Sequence, residues 1–353
     1  MKLVINVKNL GKGEAILIAD SKQRKYFTGF SSTHGYLFIG EEMTLFLDNR
    51  YYSAGRKVEG IKVRLYQGIN SLKDFVVEKG IKKLYVDYSV TTCEEFNTYK
   101  SLCSEIENVS DEIKAKMSVK TASEIEKIKR ACEITEKAFY KVLDKVKEGI
   151  SERELANELE YILKSLGADG TSFETIVAFG ENSTVPHHET GNTKLKENQN
   201  VLIDFGGVVD GYMADMTRTF FYGEPTAEYI ETYNQVLKAN EKIIEEITVG
   251  TVGKQAHERA VEILDEKDLG KYLTHSLGHG VGVNIHEHPT LGPKSVDEIK
   301  EGMVFTIEPG VYIEGKYGIR IEDTVYLKKG KAERLFNDGK NLLIIKKDKG
   351  VNL

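Results

Sequence analysis

The chain has 353 residues, of which 40 % are apolar, enough for two domains of about 150 residues with a core in each, so a disordered chain is excluded. Its 49 Lys and Arg stand against 55 Asp and Glu, a net charge of −6 interspersed along the chain, which argues against nucleic acid as a partner. No apolar run approaches the roughly 18 residues of a membrane span, no signal peptide is expected, and Cys93, Cys103 and Cys132 show no Cys-x-x-Cys spacing, so a reducing cytoplasm is the expected location.

Residues 1–116 alternate short apolar runs with Gly, Asn and charged turns, among them Ala15-Ile16-Leu17-Ile18, Tyr36-Leu37-Phe38-Ile39, Thr44-Leu45-Phe46-Leu47 and Leu84-Tyr85-Val86. These runs predict strands. With helices expected near 70–79 and 94–107, the segment reads as a small α/β domain without a catalytic spacing of its own. From 117 to 353 the pattern changes, and all five prolines lie there. Ser123 and Glu126 are spaced as a capping box before the helical period Ile125, Ile128, Cys132, Phe139, Val142 and Val146, which Gly149 is expected to end. A second box, Ser151 with Glu154, opens a helix whose Leu155, Leu159, Ile162 and Leu166 share a face up to Gly167. A third helix follows Pro225-Thr226 and carries a mostly apolar stripe of Ile230, Tyr233, Leu237, Asn240 and Ile244. Strand character returns around 173–179, 200–221, 303–313 and 318–327. Helices plus hairpins in one segment predict an α+β domain with antiparallel sheet.

Two acidic hairpins stand out. Asp210-Gly211 is a preferred two-residue hairpin turn. That turn sets Val209 against Tyr212 and Asp204 against Thr217, with Asp215 diagonal to Asp204 on the same face, where two carboxylates could grip metal ions. A solvent-facing pair is the plainer alternative, but Asp204 interrupts Val201-Leu202-Ile203-Asp204-Phe205, where an unpaired charge is costly to bury. The second hairpin joins Val304-Phe305-Thr306-Ile307-Glu308-Pro309 to Gly318-Ile319-Arg320-Ile321-Glu322-Asp323. A loop of about five residues around Glu314-Gly315-Lys316 brings Glu308 opposite Glu322. Like charges so placed destabilise a sheet, which a cation between them would relieve, as would an Arg320–Glu322 pair.

Six of the eight histidines fall at 187, 188, 275, 279, 286 and 288, around Gly- and Pro-containing loops. The run His275-Ser276-Leu277-Gly278-His279-Gly280-Val281-Gly282 offers a small-residue turn in which an imidazole can approach a metal. His286-Glu287-His288 lacks the spacing that puts two histidines on one helix face, so it is not a zincin signature.

Asp204 and Asp215, the tail Met216-Thr217-Arg218-Thr219, Gly278-His279-Gly280-Val281-Gly282, Thr306-Ile307-Glu308-Pro309-Gly310 and Arg320-Ile321-Glu322-Asp323 together resemble the five-ligand signature of the pita-bread metallopeptidases, in the Xaa-Pro aminopeptidase and prolidase branch. Tyr26-Phe27-Thr28-Gly29-Phe30 and Asp48-Asn49-Arg50-Tyr51 look like weaker markers of that branch's N-terminal domain. The resemblance implies a catalytic pita-bread domain over 117–353 and a smaller creatinase-type α/β domain over 1–116, the latter serving dimerisation and active-site access. It implies Asp204, Asp215, His279, Glu308 and Glu322 as ligands of two divalent ions. His187, His275, His286 and Arg320 would then face substrate or support the ligands, with His187 rather than His188 chosen because it follows Pro186. Glu308 would also accept a proton, His286 would stabilise the oxyanion, and His187 would meet the substrate near proline. Four carboxylates and one imidazole suit Mn(II), Co(II) or Fe(II), with Zn(II) also compatible.

The implied activity is hydrolysis of the Xaa-Pro bond at the N-terminus of peptides by a homodimer. An Xaa-Pro dipeptidase is the first alternative. A metal-free creatinase-like hydrolase and a non-catalytic binding module share the layout, but retention of all five ligands argues against both.

Overall fold

The computed structural model describes residues 7–346 and 350–352. The first six residues, on which the expectation of no signal peptide partly rests, lie outside them. No helix among the described residues is long and apolar enough to cross a membrane. The chain divides into two compact units, Met1–Lys116 and Met117–Leu353.

The first unit runs β1 (Glu14–Ile18), α1 (Ser21–Thr28), β2 (Tyr36–Ile39), β3 (Met43–Leu47), α2 (Asn49–Gly55), β4 (Lys62–Leu65), α3 (Ile69–Glu78), β5 (Lys83–Val86), α4 (Cys93–Lys100), β6 (Glu105–Asn108) and α5 (Ser110–Ser118). Its six strands form one mixed sheet in the order β4-β3-β2-β1-β5-β6. The apolar runs become its central strands, and Phe38, Phe46 and Phe75 meet edge to face with centroids 5.0–5.9 Å apart. The helix expected over 94–107 stops at Lys100, and 105–108 pairs with β5 as a parallel edge strand. Helices α1 and α2 escape sequence reading because Asp20 and Asp48 cap them with little apolar period behind.

The second unit opens with α6 (Ala122–Val142) and α7 (Glu152–Ser165). The box that starts α6 is Thr121 with Glu124, two residues before the expected pair; Thr121 Oγ1 and the Glu124 carboxylate each serve the other's backbone N–H. The α-helix also ends at Val142, passing into a 3-10 turn over Leu143–Lys145 rather than running to Gly149. The Ser151–Glu154 box opens α7 as expected. Next come β7 (Gly170–Thr171), β8 (Ile176–Phe179), β9 (Gln199–Phe205), β10 (Gly207–Val209), β11 (Tyr212–Met213) and β12 (Met216–Tyr222). Helix α8 (Ala227–Glu246) begins at Thr226, whose hydroxyl accepts from the Tyr229 amide. Helix α9 (Gly253–Asp265), which the sequence reading did not foresee, packs on α8. The rest is β13 (Gly278–Gly280), β14 (Glu287–Leu291), β15 (Val304–Ile307), β16 (Gly310–Ile313), β17 (Tyr317–Arg320), β18 (Asp323–Lys328), β19 (Lys331–Arg334), β20 (Ile344–Lys346) and β21 (Gly350–Asn352).

Two five-stranded sheets dominate this unit, β21-β20-β12-β9-β8 and β14-β13-β15-β18-β19. They are antiparallel except where β12 meets β20, so the unit is α+β. Behind the second sheet Asp323 sits in a buried ion network. Its carboxylate accepts from Arg218 Nη2 at 2.8 Å, Arg334 Nη2 at 3.0 Å and Lys340 Nζ at 3.0 Å, while Asp338 bridges Arg218 and Arg334. Burial opposes the Asp323 charge, but Arg218, Lys340 and Arg334 outweigh it and hold the carboxyl far below its ordinary range. A lowered carboxyl pKa contributes stability that is present above about pH 4 and is lost on further acidification. Asp323→Asn leaves three cations around a neutral amide, so it should destabilise the protein by about 3–5 kcal/mol at pH 7. Melting of the variant beside the wild type checks this, and unchanged melting would refute it.

Candidate active site

Both acidic hairpins form in the expected register. Asp210 and Gly211 adopt φ of 52° and 83°, Val209 pairs with Tyr212, and Asp204 pairs with Thr217. The sheet breaks between these pairs. A Cβ on Gly206 would lie 1.8 Å from the Ala214 carbonyl oxygen, so only glycine lets the chains pass closely enough to turn Asp215 inward. The second hairpin closes through three residues rather than five, between Ile313 and Tyr317. Counting through the ladders on either side, Ile307 with Asp323 and Gly310 with Arg320, sets Glu308 opposite Glu322 in the gap between them.

The gap exists because both peptide units turn outward. Glu308 N–H donates to the Leu277 carbonyl at 2.8 Å, and Glu322 N–H to the Thr217 carbonyl at 3.1 Å. One bond ties Glu308 to the histidine segment, and the other ties Glu322 to the first hairpin. Ligand atoms of Asp215, His279 and Glu322 lie within 4.8 Å of one another and could hold a metal ion. His279 Nε2 lies 3.5 Å from Asp215 Oδ2 and 3.4 Å from Glu308 Oε1. Its Nδ1 donates to the Gly280 carbonyl at 3.1 Å, which leaves Nε2 as a lone pair facing those carboxylates. Burial pushes His279 down to about 4, so the ring is neutral at pH 7.

Crowding dominates the electrostatics. Burial raises Asp215 and Glu322 well above the usual carboxylate range, and neighbouring acids add to it. Burial likewise raises Glu308 to about 8, against the pull of Arg320. Arg320 pairs with Asp204 Oδ2, not with Glu322, whose carboxylate instead accepts from Thr217 Oγ1 at 2.7 Å. Asp204 Oδ1 is buried with no hydrogen-bond partner. An orphaned carboxylate oxygen, an imidazole lone pair and three further acids form the donor set of a hard or borderline divalent ion, so the residues fit metal.

The histidines divide by partner. His286 stacks edge-on against His279 with centroids 4.3 Å apart, and burial lowers its pKa. Its loop is braced by Glu287, which accepts from Lys120 Nζ at 2.7 Å and from the Asn284 amide at 2.9 Å. His187 is exposed and near enough for its charge to lower both His275 and His286. His188 turns away: its Nε2 lies 2.9 Å from Glu152, whose buried carboxylate also accepts from Phe179 N, Gly191 N and Asn182 Nδ2. His288 likewise turns to Asp297, at 2.8 Å.

Tyr312 went unnoticed in the sequence, though Gly310 marks its place, since a Cβ there would lie 2.5 Å from the Tyr312 oxygen. Arg320 Nη1 donates to Tyr312 Oη at 2.7 Å, Tyr312 O–H donates to His275 Nε2 at 2.8 Å, and His275 Nδ1–H donates to the Ser276 carbonyl at 2.7 Å. Burial drops His275 to about 4, so its Nε2 is free to accept.

Comparison with known proteins places this geometry. Residues 126–329 match metallopeptidase family M24, and residues 11–116 match the creatinase/prolidase N-terminal domain. The chain is 35 % identical over 332 residues to an Xaa-Pro dipeptidase of Pyrococcus furiosus, covering 94 % of this chain and 95 % of the relative. It resembles the solved structure of an Xaa-Pro dipeptidase from Bacillus anthracis with a TM-score of 0.91 at 33 % identity, over 94 % of this chain and 95 % of that one. The X-Pro aminopeptidase of Thermotoga maritima superposes with a TM-score of 0.89 at 34 % identity, over 94 % and 97 %. The paired acidic hairpins and the inward-facing imidazole thus sit in a chain that belongs to metallopeptidase family M24, the pita-bread hydrolases.

Proposed function

We propose that the protein hydrolyses the bond preceding proline in Xaa-Pro substrates, with Asp204, Asp215, His279, Glu308 and Glu322 holding two divalent ions. The observation that carries this reading is the convergence of the Asp215, Glu308 and Glu322 carboxylates on the His279 lone pair, with Asp204 Oδ1 left unpartnered. The bound ions supply Lewis acidity toward the peptide carbonyl and lower the pKa of water. The residues do the rest. Glu308, whose carboxylate the bound ions would keep ionised, accepts a proton there and stays anchored through Thr306 Oγ1. His286 presents a neutral ring beside His279 and donates to the developing oxyanion. His187 faces the proline side of the substrate. Arg320 holds Asp204 and, through Tyr312, orients His275.

Mn(II) is the proposed metal, and the same oxygen-rich donors accommodate Co(II), Fe(II) or Zn(II). Purified protein should bind about two ions per chain and lose turnover of Xaa-Pro substrate on chelation. Full activity in demonstrably metal-free enzyme would overturn the reading. His279→Ala should deplete metal, whereas His286→Ala should keep metal near normal and lower turnover about 10²–10³-fold as a lost oxyanion donor. Equal metal loss in the two variants would refute the division of roles.

The names borne by the Pyrococcus furiosus and Bacillus anthracis relatives support Xaa-Pro dipeptides as the substrate class. Cleavage at the N-terminus of longer peptides is the second reading, favoured by the Thermotoga maritima enzyme. Assays of an Xaa-Pro dipeptide beside an Xaa-Pro-extended peptide, with Mn(II) or Co(II), should show the dipeptide turned over faster. Faster cleavage of the extended peptide would reverse the order. We further propose a cytoplasmic homodimer in which residues 1–116 serve assembly and substrate access, as the family resemblance implies. Light scattering at working concentrations tests that assembly, and a monomeric mass would refute it.

A further inference from the structure

Asn240 falls on a stripe of α8 where the sequence pattern calls for an apolar residue, and it is completely buried. Its surroundings are specific. Asn240 Nδ2 donates to the Ile307 carbonyl at 2.8 Å and to the Ile321 carbonyl at 3.2 Å. These two carbonyls belong to the peptide units that carry Glu308 and Glu322. Each unit is therefore held from both ends. At Ile307–Glu308 the oxygen accepts from Asn240 and the N–H donates to Leu277; at Ile321–Glu322 the oxygen accepts from Asn240 and the N–H donates to Thr217.

The gap between the β15–β18 and β16–β17 ladders makes this necessary at Ile321, which lies outside both strands opposite Pro309, a residue with no N–H to offer its buried carbonyl; Ile307 ends the β15–β18 ladder opposite Asp323, and the same amide fixes it there. One primary amide has two N–H bonds and can reach both oxygens, so the separation of the two peptide planes follows from the width of one side chain. The amide cannot be turned over. Lys340 Nζ donates to Asn240 Oδ1, and an exchange of O and N would set two donors against each other. Asp323 Oδ2 fixes Lys340 at 3.0 Å. The ion network behind the sheet thus reaches the carboxylates through Lys340 and Asn240.

From this arrangement we infer that Asn240 is a positioning residue that sets the spacing of Glu308 and Glu322, and hence the geometry in which the two carboxylates share metal ions. The inference rests on the metal-site reading proposed above. Asn240 acts on the backbone that carries the ligands, through the Ile307 and Ile321 carbonyls.

Asn240→Asp in the full chain tests it, since the carboxylate keeps its partner Lys340 but can donate to neither carbonyl. Mn(II) titration calorimetry should show the weaker-binding ion loosened by roughly 10–100-fold, the range for residues that orient ligands. The exchange coupling between paired Mn(II) ions in electron paramagnetic resonance should be altered. At saturating Mn(II), kcat should fall about 10-fold or more while KM stays near that of the wild type. Lys340→Met, which frees the amide to turn, should shift the same readouts in the same direction by less, and it carries the test if the first variant does not fold. Wild-type Mn(II) affinity, coupling and kcat in folded Asn240→Asp, with only a lowered melting temperature, would overturn the inference and reduce Asn240 to a stabilising role. A wild-type protein that binds no Mn(II) would instead overturn the metal-site reading, and the inference with it.

Discussion

Four carboxylates, Asp204, Asp215, Glu308 and Glu322, two of them buried and two half-buried, gather around the Arg320 guanidinium. Two like charges about 4 Å apart cost about 4 kcal/mol at an effective dielectric of 20, so one cation cannot balance four anions. Burial raises Asp215, Glu308 and Glu322 in response, which is how the metal-free cluster relieves itself by taking up protons. Much of the second unit serves to keep these groups together against that repulsion.

The hairpins do so by being interrupted. An unbroken ladder would point alternate residues to opposite faces, and its backbone groups would be used up in pairing. Here each hairpin keeps one register on both sides of a gap, and Asp215, Glu308 and Glu322 occupy the gaps, while Asp204 stays in its ladder opposite Thr217. Asp215 stands opposite Gly206, where the chains pass too closely for any Cβ. Glu308 and Glu322 turn their amides toward Leu277 and Thr217, which joins the two sheets at the site. Behind them lies the ion-paired Arg218–Asp323–Asp338–Arg334 network, and Arg218 Nη1 adds a bond to the Glu322 carbonyl.

The histidine pairs divide labour in the same manner at two places. His187 is exposed while its neighbour His188 binds the buried Glu152; His286 stacks on His279 while His288 binds Asp297. In each case one imidazole ties its loop to the scaffold. Glu152, in the first turn of α7, accepts four hydrogen bonds from two loop segments, so a helix start anchors the approach to the site.

Local chemistry was legible in the sequence alone. The Asp210-Gly211 turn sets a two-residue hairpin whatever surrounds it, and the period-2 count from that turn fixes Asp204 against Thr217. The Ser151–Glu154 box and the apolar runs of β1, β2, β3 and β5 are likewise short-range and came out as read. The start of α6 did not, because Thr121 and Ser123 offer equally spaced boxes and only packing chooses between them. The 94–107 helix shortened because an edge position beside β5 was available to 105–108. No spacing could reveal that Arg320 would take Asp204 rather than Glu322, that Tyr312 would join Arg320 to His275, or that Asn240 would leave its apolar stripe to hold two peptide units about 70 to 80 residues away. Sequence determines what a residue can donate, accept or turn; which of several equivalent partners it meets is decided when distant segments are buried together, because only there does an unmet donor or charge carry its full cost.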